Sequence, residues 1–502
     1  MTHAEPRAES GTADPAPGGS WAWGENGFGQ LGNQTADWRG PHTIPSRVVG
    51  LNDVTLIAAG GSHSLAATAD RGLWAWGDNT YGQLGDGTTA ARRMPVRVPG
   101  LGQVAALAAG DRHSLALLPD GSVWAWGDNA AGQLGIDSLN GHLSPLPIPG
   151  LGDVRAIAAG RLQSLALASD GTVWTWGAYV PVQYTRLSAS QATTRRVPHR
   201  LDGLAGVAGI AAGDRHGLAM KSDGTVWAWG DNASGQLGDG TTADSGLPVR
   251  VSRLGAVVAV AAGAEHSLAL RADGSVWAWG ADMVGQLGDG QHAQSAMPVR
   301  VRGLDGVVAI AASASHSVAL RGDGTVWTWG AVADSPHAAS APFALDTVPV
   351  PVGGLTGVSG IAAGATHALA FTAPPFFARH ESADGSIRYA GRWTEREIAG
   401  ASGGSTHVAE AGEPGEASLQ WVGTDLAVLM PTGPEMGMAW LIVDEADAHL
   451  VDLYSPQLRP QQPVLVLSGL PRGPHLVTIA PSQQKNAYSS DHTIALDAID
   501  VR

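Results

Sequence analysis

The chain is 502 residues long, and its 45 acidic residues against 30 basic ones leave a formal charge of −15 with Lys221 and Lys485 as the sole lysines. That balance disfavours binding to a phosphate backbone as the main activity. The absence of cysteine excludes disulfides, thiolate metal sites and cysteine nucleophiles, while 69 glycines and 30 prolines beside 44% apolar residues fit a turn-rich fold and not collagen, disorder or long helices.

Residues 1–20 lack both a basic start and an apolar middle, so they read as a flexible tail and not as a signal peptide. No run approaches the roughly 18–20 apolar residues of a membrane span. From Trp21 onward the sequence repeats. WxWG begins at Trp21, Trp74, Trp124, Trp174, Trp227, Trp277 and Trp327, at intervals of 50 or 53 residues. A second motif, AAGxxHSLAL, alternates with it from Ala58, Ala108, Ala158, Ala211, Ala261, Ala311 and Ala362. Asp-Gly pairs such as Asp120-Gly121 and Asp223-Gly224 lie between the two motifs and predict tight hairpins. Most WxWG copies are followed by GQLG and then by an outer run such as MPVRV. Four antiparallel strands in about 50 residues make one propeller blade.

The small Ile-Ala-Ala-Gly run suits the crowded innermost strand. The two indoles of WxWG leave one face of their strand and fill the wedge against the next blade. Six complete units leave WAWG at 21–24 and IAAGATHALAF at 361–371 unpaired, so the two ends predict a shared seventh blade that closes the ring. The fold class expected is therefore all-β, a seven-bladed β-propeller over 21–373. A linker at 374–380 precedes a β-sandwich over 381–502, where seven or eight short strands are separated by Pro, Gly, Asn and Asp turns.

AAGxxHSLAL, DGxVWxWGxN and GQLGxG resemble the repeats of the regulator of chromosome condensation family, which implies the seven-bladed propeller but no single function. The C-terminal segments IRYAGRWTE, SGLPRGPHLVTI and LDAIDV resemble the galactose-binding-like jelly rolls appended to bacterial extracellular proteins. That resemblance implies carbohydrate or cell-surface binding and an extracellular setting. Arg-over-Lys usage with abundant Ala and Gly suggests a GC-rich bacterial source.

Histidines at the HS position (His63, His113, His216, His266, His316, His367, with Gln163 in the gap) recur too far apart around a ring to hold one metal ion. Each is expected to cap its own turn, and no metal site is expected there. Asp and Asn after WxWG read as turn formers and not as calcium ligands. Aspartate in Gly110-Asp111-Arg112-His113 and Gly213-Asp214-Arg215-His216 stands where the repeats of the plant UV-B photoreceptor, which resemble these, carry a chromophore tryptophan. The two variable positions of AAGxxHS hold no aromatic residue, unlike those of a secreted β-lactamase inhibitor of similar fold.

The AAGxxHS turns and the loops after WxWG should emerge on one side of the disc and the Asp-Gly hairpins on the other. Two long irregular loops, Ala178–Pro198 and Ala331–Pro349, fall on the first side. A protein partner is expected to meet Phe28, Tyr81, Arg112, Arg161, Tyr179, Tyr184 and Arg215 there, an aromatic and arginine set typical of interface hot spots. In the C-terminal module Tyr389, Trp393 and Trp440 are candidate sugar platforms, although Trp421 and Trp440, in or beside apolar strands, are expected in the core, and Asp497 and Asp500 are candidates for a structural calcium. No catalytic residue and no cofactor emerge. The function expected is non-enzymatic binding or scaffolding. The alternatives are a glycan-active enzyme with its site assembled on the propeller face, or a propeller that inhibits another protein.

Overall fold

The computed structural model describes residues 18–179, 193–331 and 346–372, and beyond residue 377 chiefly the strands. The chain folds as two compact units, Met1–Pro374 and Pro375–Arg502. No helix among the described residues is long and apolar enough to cross a membrane.

The first unit is seven four-stranded antiparallel sheets. Six are consecutive in sequence, the second blade for example being Val54–Ala59, His63–Thr68, Leu73–Gly77 and Arg92–Arg97. The other sheet joins both ends of the unit, in the order Asp37–Arg47, Ser20–Asn26, His367–Phe371, Gly360–Ala363. Its central register runs from Ser20 opposite Phe371 to Gly24 opposite His367. Beyond the register, Glu25 N–H donates to the Thr366 carbonyl (2.9 Å) and Thr372 N–H to that of Gly19 (3.0 Å). The innermost strands touch in succession around the ring, and Gly360–Ala363 meets Val54–Ala59, so the circle is closed. This is the closure that the unpaired motifs required.

Within each wedge the two indoles have different duties. The second ring of WxWG is fully buried at Trp23, Trp76, Trp126, Trp176, Trp229, Trp279 and Trp329. Trp126, for instance, packs on Leu65, Ala75 and Leu84 of the preceding blade. The first ring is half-buried in most blades and lies by the Asp-Gly hairpins, where Lys221, Arg271 and Arg321 sit over Trp227, Trp277 and Trp327 at 5.5, 6.0 and 5.8 Å. The outermost strands are exposed edges. Each carries a proline, and Ile44, Met94, Leu247 and Met297 stand exposed just before Pro45, Pro95, Pro248 and Pro298. A residue with no N–H is a poor template for edge-to-edge pairing.

Five of the six histidines differ from expectation: they do not cap their own turns but bridge blades, whereas His316 bonds Ser313 of its own turn. His63 Nε2 meets Ser114 Oγ of the next blade at 2.9 Å, and Ser114 Oγ donates back to the carbonyl of Gln83, in the GQLG loop of the blade that holds His63, at 2.8 Å. Because the hydroxyl proton goes to Gln83, the imidazole must donate, which fixes the Nε2–H tautomer. The next blade's Trp126 Nε1 donates to the same Gln83 carbonyl at 2.9 Å. The His–Ser–Gln clamp recurs at His113–Ser164–Gln133, His216–Ser267–Gln236, His266–Ser317–Gln286 and His367–Ser64–Gln30. GQLG therefore supplies a carbonyl to the neighbouring blade, and HS supplies both halves of a relay between blades.

Two junctions lack the clamp. The blade ending at residue 200 and the blade Val307–Pro351 both lack GQLG, and the following blades carry Gly217 and Ala368 in place of the serine. Among the described residues the indole nitrogens of Trp229 and Trp23 then have no partner. The preceding histidine position changes in step. Gln163 reaches the carbonyls of Gly213 and His216 at 3.0 and 2.9 Å, and Ser313, replacing a glycine, meets His316 Nδ1 at 2.6 Å.

The glycine of WxWG is required by position. Gly77 has φ +100°, and a Cβ there would stand 2.5 Å from the Ser62 carbonyl and 2.8 Å from His63 Cα. Gly77→Ala is expected to cost about 2–4 kcal/mol, read as a lowered denaturant midpoint with an unchanged slope.

The second unit contains antiparallel sheets of four, five and three strands. The five-stranded one runs Arg388–Gly391, Gly415–Gly423, Gly473–Pro481, Met438–Val443, Asp447–Asp452. Leu419, Val428, Met430, Leu441, Val477, Ile479 and Ile499 are among its core. Trp440, expected inside, alternates outward on its strand and is 36% exposed.

Candidate binding face and central mouth

The seven AAG turns converge on the ring axis and leave a mouth of about 370 Å³. Its wall is mostly backbone and methyl groups, because the blades contribute Ala-Gly, or Ala312-Ser313 in one, and the residue that follows, with Arg112 added beside Asp111. Those following residues make it asymmetric. Asp111, Arg161 and Asp214 come from three consecutive blades, whereas Gly61, Ala264, Ala314 and Ala365 line the remainder.

Asp111 organises the charged half, with its carboxylate 3.5 Å from Arg112 Nε and 3.9 Å from Arg161 Nε. Arg112 then reaches outward, donating to Tyr81 Oη at 2.9 Å with its guanidinium 4.6 Å from the ring centroid. Burial raises the Asp214 carboxyl above the usual range against the pull of Arg161, with Asp111 adding repulsion. Glu265 in the next turn accepts from Ser234 Oγ at 3.0 Å. The mouth thus joins a desolvated carboxylate to a guanidinium–phenol pair already fixed in place.

The AAGxxHS turns and the loops after WxWG lie together, as Asp78 N–H bonds the Ser62 carbonyl and Asp128 N–H that of Arg112, both within 2.9 Å. Farther out on this side Phe28 holds Trp38 edge to face, ring centroids 5.0 Å apart and planes at 78°. Trp38 is 73% exposed and Met283, in the loop of another blade, 84%.

Comparison with known proteins now has a geometry to explain. The profile described as RCC1-like domain matches residues 154–375, and the regulator of chromosome condensation (RCC1) repeat matches 17–67, 72–117 and 120–167. The propeller belongs to the RCC1-like repeat family. Prp20p from Saccharomyces cerevisiae, described with its binding to Gsp1p and histones, is similar at 25% identity and a TM-score of 0.62. The match covers 70% of this chain and 91% of that one. Human WBSCR16 matches in fold at 24% identity and a TM-score of 0.61, covering 71% and 99%. Among curated sequences, Alsin of Rattus norvegicus is 45% identical over 67 residues, which is 13% of this chain and 4% of that protein. The E3 ubiquitin-protein ligase HERC2 of Homo sapiens is 46% identical over 61 residues, 12% of this chain and 1% of that protein.

Of the residues singled out in the sequence of this RCC1-like propeller, Tyr81, Arg112 and Arg161 are brought into one cluster. Arg215 is exposed in the turn beside Asp214. Phe28 is half-buried under Trp38 and sits apart from that cluster. Tyr179 ends the strand Val173–Tyr179, and Tyr184 lies outside the described residues, as do 332–345 of the second long loop. Tyr389 pairs in register with Ala417 and Trp393 with Ala409, but their side chains lie outside the described residues. So do Asp497 and the Asp500 side chain. Sequence reasoning passed over Asp111, Asp214, Trp38 and Met283. The first two were visible with Arg161 as the charged members of a column otherwise of Gly and Ala, while Trp38 belongs to no motif and Met283 to a loop position that varies from blade to blade.

Proposed function

We propose that the propeller recognises a protein partner through the face around its mouth. The reading rests on the Tyr81–Arg112–Asp111–Arg161 cluster. A guanidinium already bonded to a phenol and braced by a carboxylate loses little freedom on binding, and Tyr and Arg are the residue types that dominate interface energies. The described binding of Prp20p to Gsp1p and histones supports partner recognition by this fold, without naming the partner here. The immobilised chain is expected to capture a discrete protein from lysate of its source cells. Tyr81→Ala combined with Arg112→Ala should weaken that complex by about 30-fold or more, with the melting temperature little changed. Unchanged affinity in the double variant overturns the reading. Hydrolysis of aryl glycosides that is lost in Asp214→Asn would replace it with the catalytic alternative.

For the C-terminal unit we propose a galactose-binding-like sandwich that takes carbohydrate. The outward-facing Trp440 is the described aromatic that supports it. Retention of the full chain on a glycan array, reduced in Trp440→Ala, is the expected result, and no retention on any glycan counts against it.

A further inference from the structure

In each GQLG-bearing blade the residue two places after the WxWG glycine is buried, and in four of the five it is asparagine: Asn26, Asn79, Asn129 and Asn232. Its amide has two tasks. Asn79 Oδ1 accepts from Leu84 N–H at 3.0 Å, while Nδ2 donates to Asp86 Oδ1 (3.0 Å), the Thr88 carbonyl (3.0 Å) and the Ala90 carbonyl (3.1 Å). Asn232 repeats this with Leu237 N–H at 2.9 Å and the Thr241 and Ala243 carbonyls at 3.0 Å. The NH2 group thus sits inside a nest of oxygen acceptors.

The fifth blade has Asp282 there. It is fully buried. Oδ1 still accepts from Leu287 N–H at 2.9 Å, so the carboxylate stands in the amide's place. The surrounding loop is pinned as in its sisters. Gln291 N–H donates to Asp289 Oδ1 at 2.9 Å, as Thr241 N–H does to Asp239 at 2.8 Å, and Gly290 N–H bonds the Thr347 carbonyl at 2.9 Å, as Gly240 N–H does that of Ala296. Oδ2 therefore replaces the donor, and it is buried with no hydrogen-bond partner. Burial pushes the carboxyl up to about 6 against the Leu287 N–H, with Asp289 repelling, and His292 and the Ala293 N–H favouring the charged form. A buried carboxylate oxygen with no hydrogen-bond donor calls for a proton or a cation.

We propose that Asp282, Asp289 and the Gln291 carbonyl bind a divalent cation of the calcium class. In the sister blades the amide nitrogen at this position stands 2.8–3.4 Å from its oxygens. Oxygens about 3 Å apart match neighbouring ligands around an ion with metal–oxygen bonds of about 2.3–2.6 Å. Two carboxylates and a carbonyl are hard ligands, and water would complete the shell. The sister blades need no ion because their amide supplies the donor.

The test is thermal unfolding of the full chain at pH 7.5 in EDTA and in millimolar Ca²⁺. Calcium is expected to raise the melting temperature of the natural protein saturably, by about 2 °C or more. The response should vanish in Asp282→Asn and shrink in Asp289→Asn. Asp282→Asn restores the sister-blade amide, so in EDTA it should melt at or above the natural protein. An identical melting temperature with and without calcium overturns the proposal, as does a response that survives in Asp282→Asn.

Discussion

Between pH 7 and pH 4 the propeller is expected to unfold over a narrow interval, with the uptake of several protons per molecule. Burial drives His63, His113, His266 and His367 down to about 3, and His216 and His316 to about 4. In the unfolded chain each would take a proton near 6.5. The folded pKa values are depressed, so below 6.5 the unfolded state binds more protons and stability falls with falling pH. The contribution is complete above 6.5 and is lost progressively toward 3–4. Each group adds about 1.4 kcal/mol per pH unit in that window, so six together give a slope of about 8. Against a typical total of about 5–15 kcal/mol, unfolding near pH 5 follows. Denaturant titrations at half-unit steps from pH 7.5 measure the slope, and a midpoint unchanged down to pH 4 would show that these imidazoles are not desolvated.

Deleting residues 1–47 is expected to abolish the closed ring and not merely to lower its stability. The deletion removes two strands of the closing sheet, with the pairing of Ser20 through Gly24 against Phe371 through His367. It also uncovers Val318, Leu320 and Val358, which pack on Trp21 and Trp23. What remains is a bare strand edge next to an apolar wall, the combination that invites self-association. Size-exclusion chromatography should show aggregate or expanded chain where the intact protein elutes as a compact species. A truncated chain with the intact protein's elution and cooperative melting would mean that the six remaining blades close by themselves.

The propeller was legible because each repeated position answers a geometric demand made once per blade. Positive φ calls for the glycine of WxWG, the widening wedge for indoles, and the crowded hub for alanine. The partnership of His63 with Ser114 was harder to see, since the two letters of HS stand side by side in most repeats and nothing marks that one histidine's partner is the next repeat's serine. The binding face was half legible. Arg112 and Arg161 were found as arginines, but the carboxylate that gathers them, Asp111, was read only as the residue in place of a tryptophan. Trp38 falls in the outer strand of the closing blade, outside every motif. Among the GQLG-bearing blades Asp282 stood in plain view as a single departure from asparagine, and its meaning needed the hydrogen-bonding geometry of the sister loops. Trp440 was misplaced because an apolar run can be buried on one face alone, and its strand alternates.

The two unclamped junctions divide the disc unequally. One arc of four blades runs from the shared closing blade to the strand ending at Arg200, and another of three from Val207 to Pro351. Inside each arc every boundary carries the full His–Ser–Gln relay; between the arcs it is replaced by Gln163 at one boundary and by a histidine turned back on its own Ser313 at the other. Under thermal or mechanical load such a disc should part along these two lines, like a split washer in two pieces. Its first yielding motion would then be a relative tilt of two stiff sectors.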